Sequence, residues 1–385
     1  MVKEAFLTSF SKKNGTKTIS ELIKSSASGP SAGLTRRDFL KYTAVAVATA
    51  MAAGAFVWFL KPTEERVPMA PKKLKTAFIP STPIEEPWVG VIHHALLKAQ
   101  EEFGIEYDYT ENVPYSDIPR VAREYAGRGF NVIFADVFGC EEEIREVAKD
   151  FLDVYFVLGS GAGPVEPNVC VFDDWIHEPA YICGMIAGKL TDSDVLGVVG
   201  GYAIPEVNRL INAFKYGAKE VNPDVKVKIT FIESWFDPPK AKEAATSQID
   251  MGADVIYAER YGPMEVCKER RIPCFGNLLD QWEEAPEVVI TGPEWDMWPT
   301  VKEVFTSILE DRWQARDLAE WSMMAKGGAK LAGWPGWHNY EERLYPEIVE
   351  KINKRGIIEM VDRRIKEILN GTFRVPVDEA TPISD

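Results

Sequence analysis

The 385-residue sequence has little of what metal sites and covalent catalysis require. It contains only five cysteines and four histidines, and no Cys-x-x-Cys pair, so it offers no zinc constellation. A Walker loop, a Gly-x-Ser-x-Gly elbow and a His-Glu-x-x-His helix are also absent from it. Because no group of residues resembles a catalytic machinery, we expect a protein that is not an enzyme and uses neither a metal nor a cofactor.

Positive charge is scarce beyond the N-terminus. Residues 1–66 hold ten of the 44 basic and five of the 59 acidic residues, which leaves 34 basic against 54 acidic residues in the rest of the chain. A body this acidic repels phosphate backbones. We therefore expect no nucleic-acid partner.

The N-terminal segment differs in kind from the rest. Arg36 and Arg37 stand in TRRDFLK, directly before an apolar run of 19 residues from Tyr42 to Leu60. Paired arginines ahead of a moderately hydrophobic stretch are typical of a twin-arginine export signal, which carries folded proteins outward. The run approaches the ~20 residues that span a bilayer, yet Ala53-Gly54-Ala55 resembles a cleavage site. The sequence thus leaves open whether the signal is removed, with a retained anchor favoured.

We therefore predict that residues 1–66 form an export signal, or membrane anchor, and a tether. The body of the protein is expected to work outside the cytoplasm, at the cell surface.

Beyond Lys73, short apolar runs alternate with amphipathic segments. Runs such as NVIFADV at 131–137 and VLGVVG at 195–200 are almost continuously apolar, which is typical of parallel strands covered by helices on both faces. This alternation predicts an α/β fold.

Two segments of the chain match each other at an offset of 123 residues, from 129 to 252. GFNVIFADVFG (129–139) and GADVIYAERYG (252–262) share their terminal glycines, Val-Ile and an alanine. The offset suits one α/β lobe, so we predict two lobes of similar topology. The first lobe is predicted to comprise residues 74–190 and part of 292–316, where the chain returns to it. The second lobe is predicted to comprise residues 195–291 and part of 317–385.

Acidic and aromatic residues follow the predicted strands. Asp136 and Phe138 come at the end of one strand, and Trp88 and Trp235 follow strands of opposite lobes. The carboxyl edges of two such sheets would face each other across a cleft. Two tryptophans there could sandwich a flat ring, at ~1–3 kcal/mol per stacking contact, although a single aromatic taken alone belongs more often to a core than to a site.

These residues resemble the basic membrane protein family, the purine-binding substrate-binding proteins of ABC transporters. The similar blocks are Pro87-Trp88, YTENVPYSDIPRVAREYAGRGFNVIFADVFG, AYICGMIAGKLT, GGYAIPEVNRLINAFKYGAKEVNP and ESWFDPPKAKEAATSQIDMGADVIY. They are spread over most of the chain between Leu74 and Trp313. The resemblance implies a two-lobed type I periplasmic-binding-protein fold, in which each lobe is a Rossmann-like parallel sheet between helices and hinge crossovers join the lobes.

The resemblance also implies ligand contacts. Trp88 and Trp235 would stack on a purine, Asp136 or Phe138 would line the polar edge of the base, and Asp280 would face a ribose.

One stretch departs from the nucleoside-binding members of the family. Nucleoside-binding members carry a lysine at this point, whereas this sequence has GPEWDMWPTVK, with Trp295 and Asp296. In this stretch it is closer to members that resemble binders of a free base such as adenine. Loss of a cation and gain of indoles favour a small, flat, neutral ligand. Base and nucleoside both stay open, with the base favoured.

We therefore expect an extracytoplasmic receptor that captures a purine by lobe closure and hands it to an ABC permease. The alternative is a membrane-tethered ectodomain that senses a ligand. A neighbouring gene pair for a permease and an ATPase would separate the two functions.

Overall fold

A computed structural model describes residues 73–385, which form two parallel β-sheets of five strands each. The export signal and tether predicted for residues 1–66, with Arg36 and Arg37, lie outside the described residues. Within residues 73–385, every helix is too short or too polar to cross a lipid bilayer.

The first sheet is buried on both faces, as its apolar strands predict. Its strands are β1 (Lys75–Ile79), β2 (Glu106–Tyr109), β3 (Val132–Asp136), β4 (Tyr155–Gly159) and β5 (Val169–Phe172), and its crossover helices are α1 (Pro87–Phe103), α2 (Ile118–Gly127) and α3 (Glu141–Asp150). The strand order is β2-β1-β3-β4-β5. Along β3, Val132 and Phe134 enter one hydrophobic core while Ile133 and Ala135 enter another. A strand with a core on each side needs apolar residues at every position.

The second sheet repeats this arrangement. Its strands are β6 (Val195–Gly200), β7 (Lys226–Phe231), β8 (Val255–Ala258), β9 (Cys274–Phe275) and β10 (Val289–Thr291), and its helices are α4 (His177–Leu190), which leads in from the first sheet, α5 (Pro205–Val221), α6 (Pro238–Asp250) and α7 (Pro263–Arg270). The strand order is β7-β6-β8-β9-β10, which is the order of the first sheet once its strands are counted from β6. The prediction of two α/β lobes with similar topology is confirmed.

The chain crosses between the lobes more than once. After β10 come β11 (Pro293–Trp295) and α8 (Trp298–Leu309), and α8 packs against α1 of the first lobe. Backbone bonds then join Val171 to Arg316 at 3.2 Å and to Leu318 at 2.8 Å. The return segment therefore extends the edge of the first sheet beside β5.

The remaining elements pack along the lobe junction. They are β12 (Ala329–Leu331), which pairs antiparallel with β11, α9 (Tyr340–Arg343), α10 (Pro346–Lys354) and α11 (Ile357–Leu369). Both α10 and α11 contact α4. At its end the chain runs beside β7, where the Asp385 N–H donates to the Val227 carbonyl at 3.0 Å.

Helices α4 and α5 touch backbone to backbone. A Cβ atom added to Gly184 would stand 1.9 Å from the carbonyl oxygen of Phe214, and one added to Gly217 would stand 1.9 Å from that of Tyr181. Only residues without a side chain permit this approach. The glycines of the AYICGMIAGKLT block therefore fix α4 tightly to the second lobe.

Candidate functional site

A cavity lies between the carboxyl ends of the two sheets and, with the open solvent at its mouth, comprises about 390 Å³ of empty space. Both lobes contribute to its walls, and the turn after β1 and the first turn of α1 supply much of the first-lobe side. The lining residues are Ser81, Thr82, Glu86, Trp88, Val89, Tyr115, Asp136, Phe138 and Ser160 from the first lobe, and Glu206, Trp235 and Arg260 from the second.

Trp88 lines this cavity and is clamped by the core of the first lobe. Its ring stacks on Phe172, with centroids 5.9 Å apart and an interplanar angle of 14°, and contacts Trp295 at 5.9 Å. A Cβ atom on Gly159 would come within 2.5 Å of the indole, so the glycine that ends β4 leaves the space that the ring occupies. Trp88 is only 8% exposed, and its position is therefore fixed before any ligand arrives.

Trp235 lines the cavity from the second lobe, between β7 and α6. Its ring contacts Tyr202 at 4.8 Å and meets Phe138 of the first lobe edge-on at 5.3 Å. Directly after it, the Asp237 carboxylate accepts a hydrogen bond from the Lys240 N–H at 3.1 Å and caps α6, whose first turn contains two prolines. A capping aspartate followed by proline starts a helix abruptly, and this start holds the tryptophan at the end of its strand.

Asp136 ends β3 and presents a buried carboxyl group to the cavity. One of its oxygens accepts hydrogen bonds from the Ser81 hydroxyl and from the Tyr115 hydroxyl at 3.1 Å, and the other accepts from the Phe138 N–H at 3.3 Å. Burial raises the pKa of Asp136, against the opposing effect of these donors. The carboxyl group is thus oriented by neutral partners, and in the part of the chain that the structure describes no cation pairs with it.

Among the described residues 73–385, Arg260 is the only cation that lines the cavity. It forms a bidentate pair with Glu259 at 2.6 and 3.0 Å and lies 3.7 Å from the carboxylate of Glu86 in the other lobe. Glu86 also caps α1, accepting from the Val89 N–H at 3.0 Å. Burial raises the pKa of both Glu86 and Glu259, although Arg260 opposes the shift. This buried group of three charges joins the two lobes.

Glu206 adds a third carboxyl group to the lining. It lies in the first turn of α5 and accepts a hydrogen bond from the Ser160 hydroxyl of the other lobe at 3.0 Å. Burial, together with the neighbouring Asp173 carboxylate, raises the pKa of Glu206 to about 8. Glu86, Asp136 and Glu206 thus give the cavity three carboxyl groups against one arginine. Such a lining favours a ligand that offers N–H donors and disfavours an anion.

Three of the residues predicted for the site do not line this cavity. Asp280 is bound by His338, with its Oδ2 atom 2.6 Å from Nε2. Trp295 is 2% exposed, lies behind Trp88 and donates to the Ser322 hydroxyl at 3.1 Å. Asp296 accepts from the Trp298 N–H at 2.9 Å at the start of α8. Each side chain has a structural partner of its own, and the ligand contacts expected for the three residues stay predictions.

The sequence analysis missed three charged residues of the lining. Arg260 stands in the second copy of the repeat where the first copy has Val137, and this exchange of an apolar residue for a cation was the available signal. Glu86 and Glu206 lie next to the prolines that begin α1 and α5, at helix N-termini that point from strand ends towards the cleft. Acidic residues at such positions are also common helix caps, which is why the pattern alone did not identify them.

The fold and the cleft define a two-lobed solute-binding protein. The chain matches the Bmp family, described as ABC transporter substrate-binding protein PnrA-like, over residues 73–355. It therefore belongs to this family, and the resemblance noted in the sequence is confirmed. Members are substrate-binding proteins of ABC transporters, which work outside the cytoplasm and are not enzymes.

Individual relatives agree with this assignment. The chain is 34% identical over 232 residues to a putative ABC transporter glucose-binding protein of Haloferax volcanii, covering 60% of this chain but only 59% of that protein. It is 30% identical over 289 residues to a purine-binding protein of Brucella abortus, covering 74% and 82%. A solved ABC transporter solute-binding protein from Conexibacter woesei has the same fold, with a TM-score of 0.62 at 22% identity over 79% of this chain and 99% of that one.

Proposed function

We propose that the protein captures a purine in the cleft between its lobes and delivers it to an ABC permease, with a free base favoured over a nucleoside. The observation that carries the proposal is that Trp88 and Trp235, from opposite lobes, line one cavity. A planar ring between two indoles buries both of its faces, and each stacking contact contributes ~1–3 kcal/mol.

The position of each tryptophan in its own lobe would couple binding to closure. Trp88 is fixed in the first lobe and Trp235 in the second, so both contacts exist together only when the cleft is closed. A ligand that makes both contacts binds the closed state better and shifts the population towards it.

The carboxyl groups of the lining support a ligand rich in N–H donors. Asp136 is oriented by neutral donors, and Glu86 and Glu206 face the same cavity. A free purine base carries an N–H on its five-membered ring that a nucleoside has exchanged for a sugar bond. Its ring therefore offers one more N–H donor to this acidic lining than the ring of a nucleoside, which brings the hydroxyl groups of ribose in its place. The name of the Brucella relative, a purine-binding protein, supports the same ligand class.

We also propose the export route and the lobe bounds. The sequence supports twin-arginine export through Arg36 and Arg37 and retention of residues 42–60 as a membrane anchor. The packing of α8 on α1 and the pairing of residues 316–318 with β5 support a first lobe of 74–190 with 292–316 returning. The pairing of Asp385 with β7 supports a second lobe of 195–291 with part of 317–385.

Calorimetry on the full-length protein tests the ligand. The titrants are adenine, guanine, hypoxanthine, adenosine, guanosine and ribose. We expect a purine base to bind most tightly and Trp88→Ala and Trp235→Ala each to weaken binding by about 10- to 100-fold, the loss of one stacking contact. Trp313→Ala is the matched control, because this indole packs on Tyr155, away from the cavity. Purine binding that survives both cleft substitutions would refute the sandwich.

A hexose is the second candidate, because the Haloferax relative is named as glucose-binding and indole faces also pack against sugar rings. D-glucose in the same titration separates the two ligand classes. Glucose binding without any purine binding would replace the purine proposal.

A further inference from the structure

A wider groove of about 1010 Å³ adjoins the ligand cavity and shares Phe138, Ser160 and Glu206 with it. Three acids there, which we call the acidic trio, are Asp173, Asp174 and Glu206. One carboxylate oxygen of each lies within 4.8 Å of the others. Asp173 and Asp174 follow β5 of the first lobe, and Glu206 lies in α5 of the second. The trio therefore spans the two lobes.

Two members of the trio have donors, and one oxygen of the third has none. Asp173 accepts from the Arg209 guanidinium at 2.8 Å and from the Asp174 N–H at 2.9 Å, and Glu206 accepts from Ser160. Asp174 is 2% exposed, and its Oδ1 atom has no hydrogen-bond partner within residues 73–385. A buried carboxylate oxygen without a donor is unfavourable, because it has lost its hydrogen bonds to water and gained none in return. Another carboxyl group faces it, so the protein itself does not compensate this charge.

The surrounding charges leave the trio negative. Among residues 73–385, Arg209 pairs with the trio through Asp173 and is shared with Glu379 at 2.7 Å, while Arg260 acts on Glu206 from the ligand cavity. Asp317, which also lines the groove, adds negative charge to its wall, whereas Glu141 is paired with Arg145. The trio thus gathers three carboxyl groups around one directly paired guanidinium, and a divalent cation would supply further positive charge there.

The chemistry of the donors indicates the type of cation. Carboxylate and hydroxyl oxygens are ligands for hard cations, and Ca²⁺ accepts ~6–8 oxygens at ~2.3–2.6 Å in irregular geometry, some of them from water. The trio and the Ser160 hydroxyl supply protein oxygens, and the open groove admits water and the ion. Oxygen atoms within 4.8 Å of one another can all reach an ion placed between them.

We propose that Asp173, Asp174 and Glu206 bind a divalent cation of the Ca²⁺ type that ties the two lobes together. The ion satisfies the free oxygen of Asp174 and holds Glu206, which also lines the ligand cavity. Cation and ligand then favour the same closed arrangement, so each raises the affinity for the other by the same factor. The site does not depend on which solute occupies the cavity.

Metal titration of the full-length protein tests this site. Tb³⁺ serves as a luminescent probe, because Trp175 packs 3.8 Å from the Arg209 guanidinium beside the trio and can sensitise its emission. We expect saturable emission that Ca²⁺ displaces, and a Ca²⁺ dissociation constant of ~10⁻⁴–10⁻³ M, as in extracellular modules. Asp174→Asn is expected to weaken Ca²⁺ binding at least tenfold.

Two further variants make the outcome decisive. Asp317→Asn is the matched control, since this acid lines the same groove outside the trio, and it should lower the Ca²⁺ affinity far less than Asp174→Asn because it removes a nearby charge and no ligand oxygen. Glu206→Gln gives a second test of the trio should Asp174→Asn fail to fold. Calorimetric titration with Ca²⁺ up to ~10 mM extends well above the expected dissociation constant. The proposal is overturned if this titration gives no saturable heat, because Asp174 and Glu206 then share a proton and bind no ion. Binding that survives both trio variants also overturns it.

Discussion

Equivalent strands of the two lobes each end at an acidic residue, but the two acidic residues have different partners. Asp136 at the end of β3 corresponds in the repeated pattern to Glu259 after β8. Asp136 accepts hydrogen bonds from hydroxyl groups and a backbone N–H. Glu259 instead faces the guanidinium of Arg260 at 2.6 Å, in addition to the Gly201 N–H at 2.9 Å.

The difference follows from one neighbouring position. The first lobe has Val137, which is fully buried, where the second has Arg260. Neutral donors orient a carboxylate and leave its charge available, whereas a bidentate guanidinium cancels that charge. The same backbone pattern therefore gives one wall that can bind a polar ligand edge and one wall whose charges are satisfied within the protein.

Replacement of Arg260 should change stability more than any other substitution that tests this difference between the walls. Arg260→Met leaves Glu259 and Glu86 buried without a counter-ion, and we expect a loss of about 3–5 kcal/mol in the free energy of unfolding. Val137→Ala, the change at the equivalent position, should cost only about 1–3 kcal/mol, since it removes two methyl groups. Urea unfolding measures both. If Arg260→Met costs less than about 1 kcal/mol, the second wall does not depend on its ion pair.

The two acids should separate affinity from stability. Asp136→Asn should weaken purine binding about 10- to 100-fold, because a hydrogen bond to a charged group contributes about 1.5–3 kcal/mol. Glu259→Gln should change affinity much less and lower the unfolding free energy instead. Calorimetry and urea unfolding on both variants make the comparison, and equal losses of affinity would show that both walls contact the ligand.

The pH dependence of stability should reveal the buried charge at the lobe junction. Folding raises the pKa of Glu86, so its contribution to stability is greatest at low pH and is lost as the pH rises through the folded-state value. Glu86→Gln should therefore melt higher than the wild type at pH 8, by roughly 2–4 °C per kcal/mol gained. The difference should shrink as the pH falls.

The neighbouring Glu85 provides the control for this pH experiment. It is exposed, so Glu85→Gln should follow the wild-type melting curve at each pH. A Glu86→Gln protein that melts lower than the wild type at pH 8 would show that the pairing with Arg260 outweighs the cost of burial.

The smallest effect is expected from a single hydroxyl group. Tyr115→Phe removes one donor to Asp136, and Tyr125→Phe removes a hydroxyl that lies 2.8 Å from Thr110, away from the cleft. Each should cost about 0.5–1.5 kcal/mol of stability. Only Tyr115→Phe should also weaken purine binding, by a few-fold. Equal affinities in the two variants would mean that the Tyr115 hydroxyl does not help to orient Asp136 for the ligand.

The sheets could be predicted from the sequence because their signal is local. A strand such as β3 has cores on both faces and so needs the continuous apolar run that is visible in one window. The repeat of residues 129–139 in residues 252–262 then predicted two lobes. The family resemblance predicted that the two lobes belong to one fold. The positions of Trp88 and Trp235 after strands of opposite lobes were also visible, whereas their stacking on a ligand is still a prediction.

The polar half of the site could not be predicted, because its signal is not local. Glu86 and Arg260 are 174 residues apart in the chain and meet only when the lobes dock. The position of Trp295 could not be predicted for a similar reason. This residue pairs through β11 with Ala329 of β12, and this pairing turns the indole towards the back of Trp88, away from the cavity. Neither contact leaves a periodic pattern in the sequence.

The glycine contacts between α4 and α5 have a mechanical consequence. Helices that touch backbone to backbone cannot slide or rotate past each other, so α4 turns as a rigid lever with the second lobe. On this crossover the pivot must lie between the end of β5 at Phe172 and the start of α4 at His177. Hinges are a few residues at the ends of elements that absorb a change in backbone angles, and a rotation of a few degrees there becomes a displacement of ångströms at the cleft mouth.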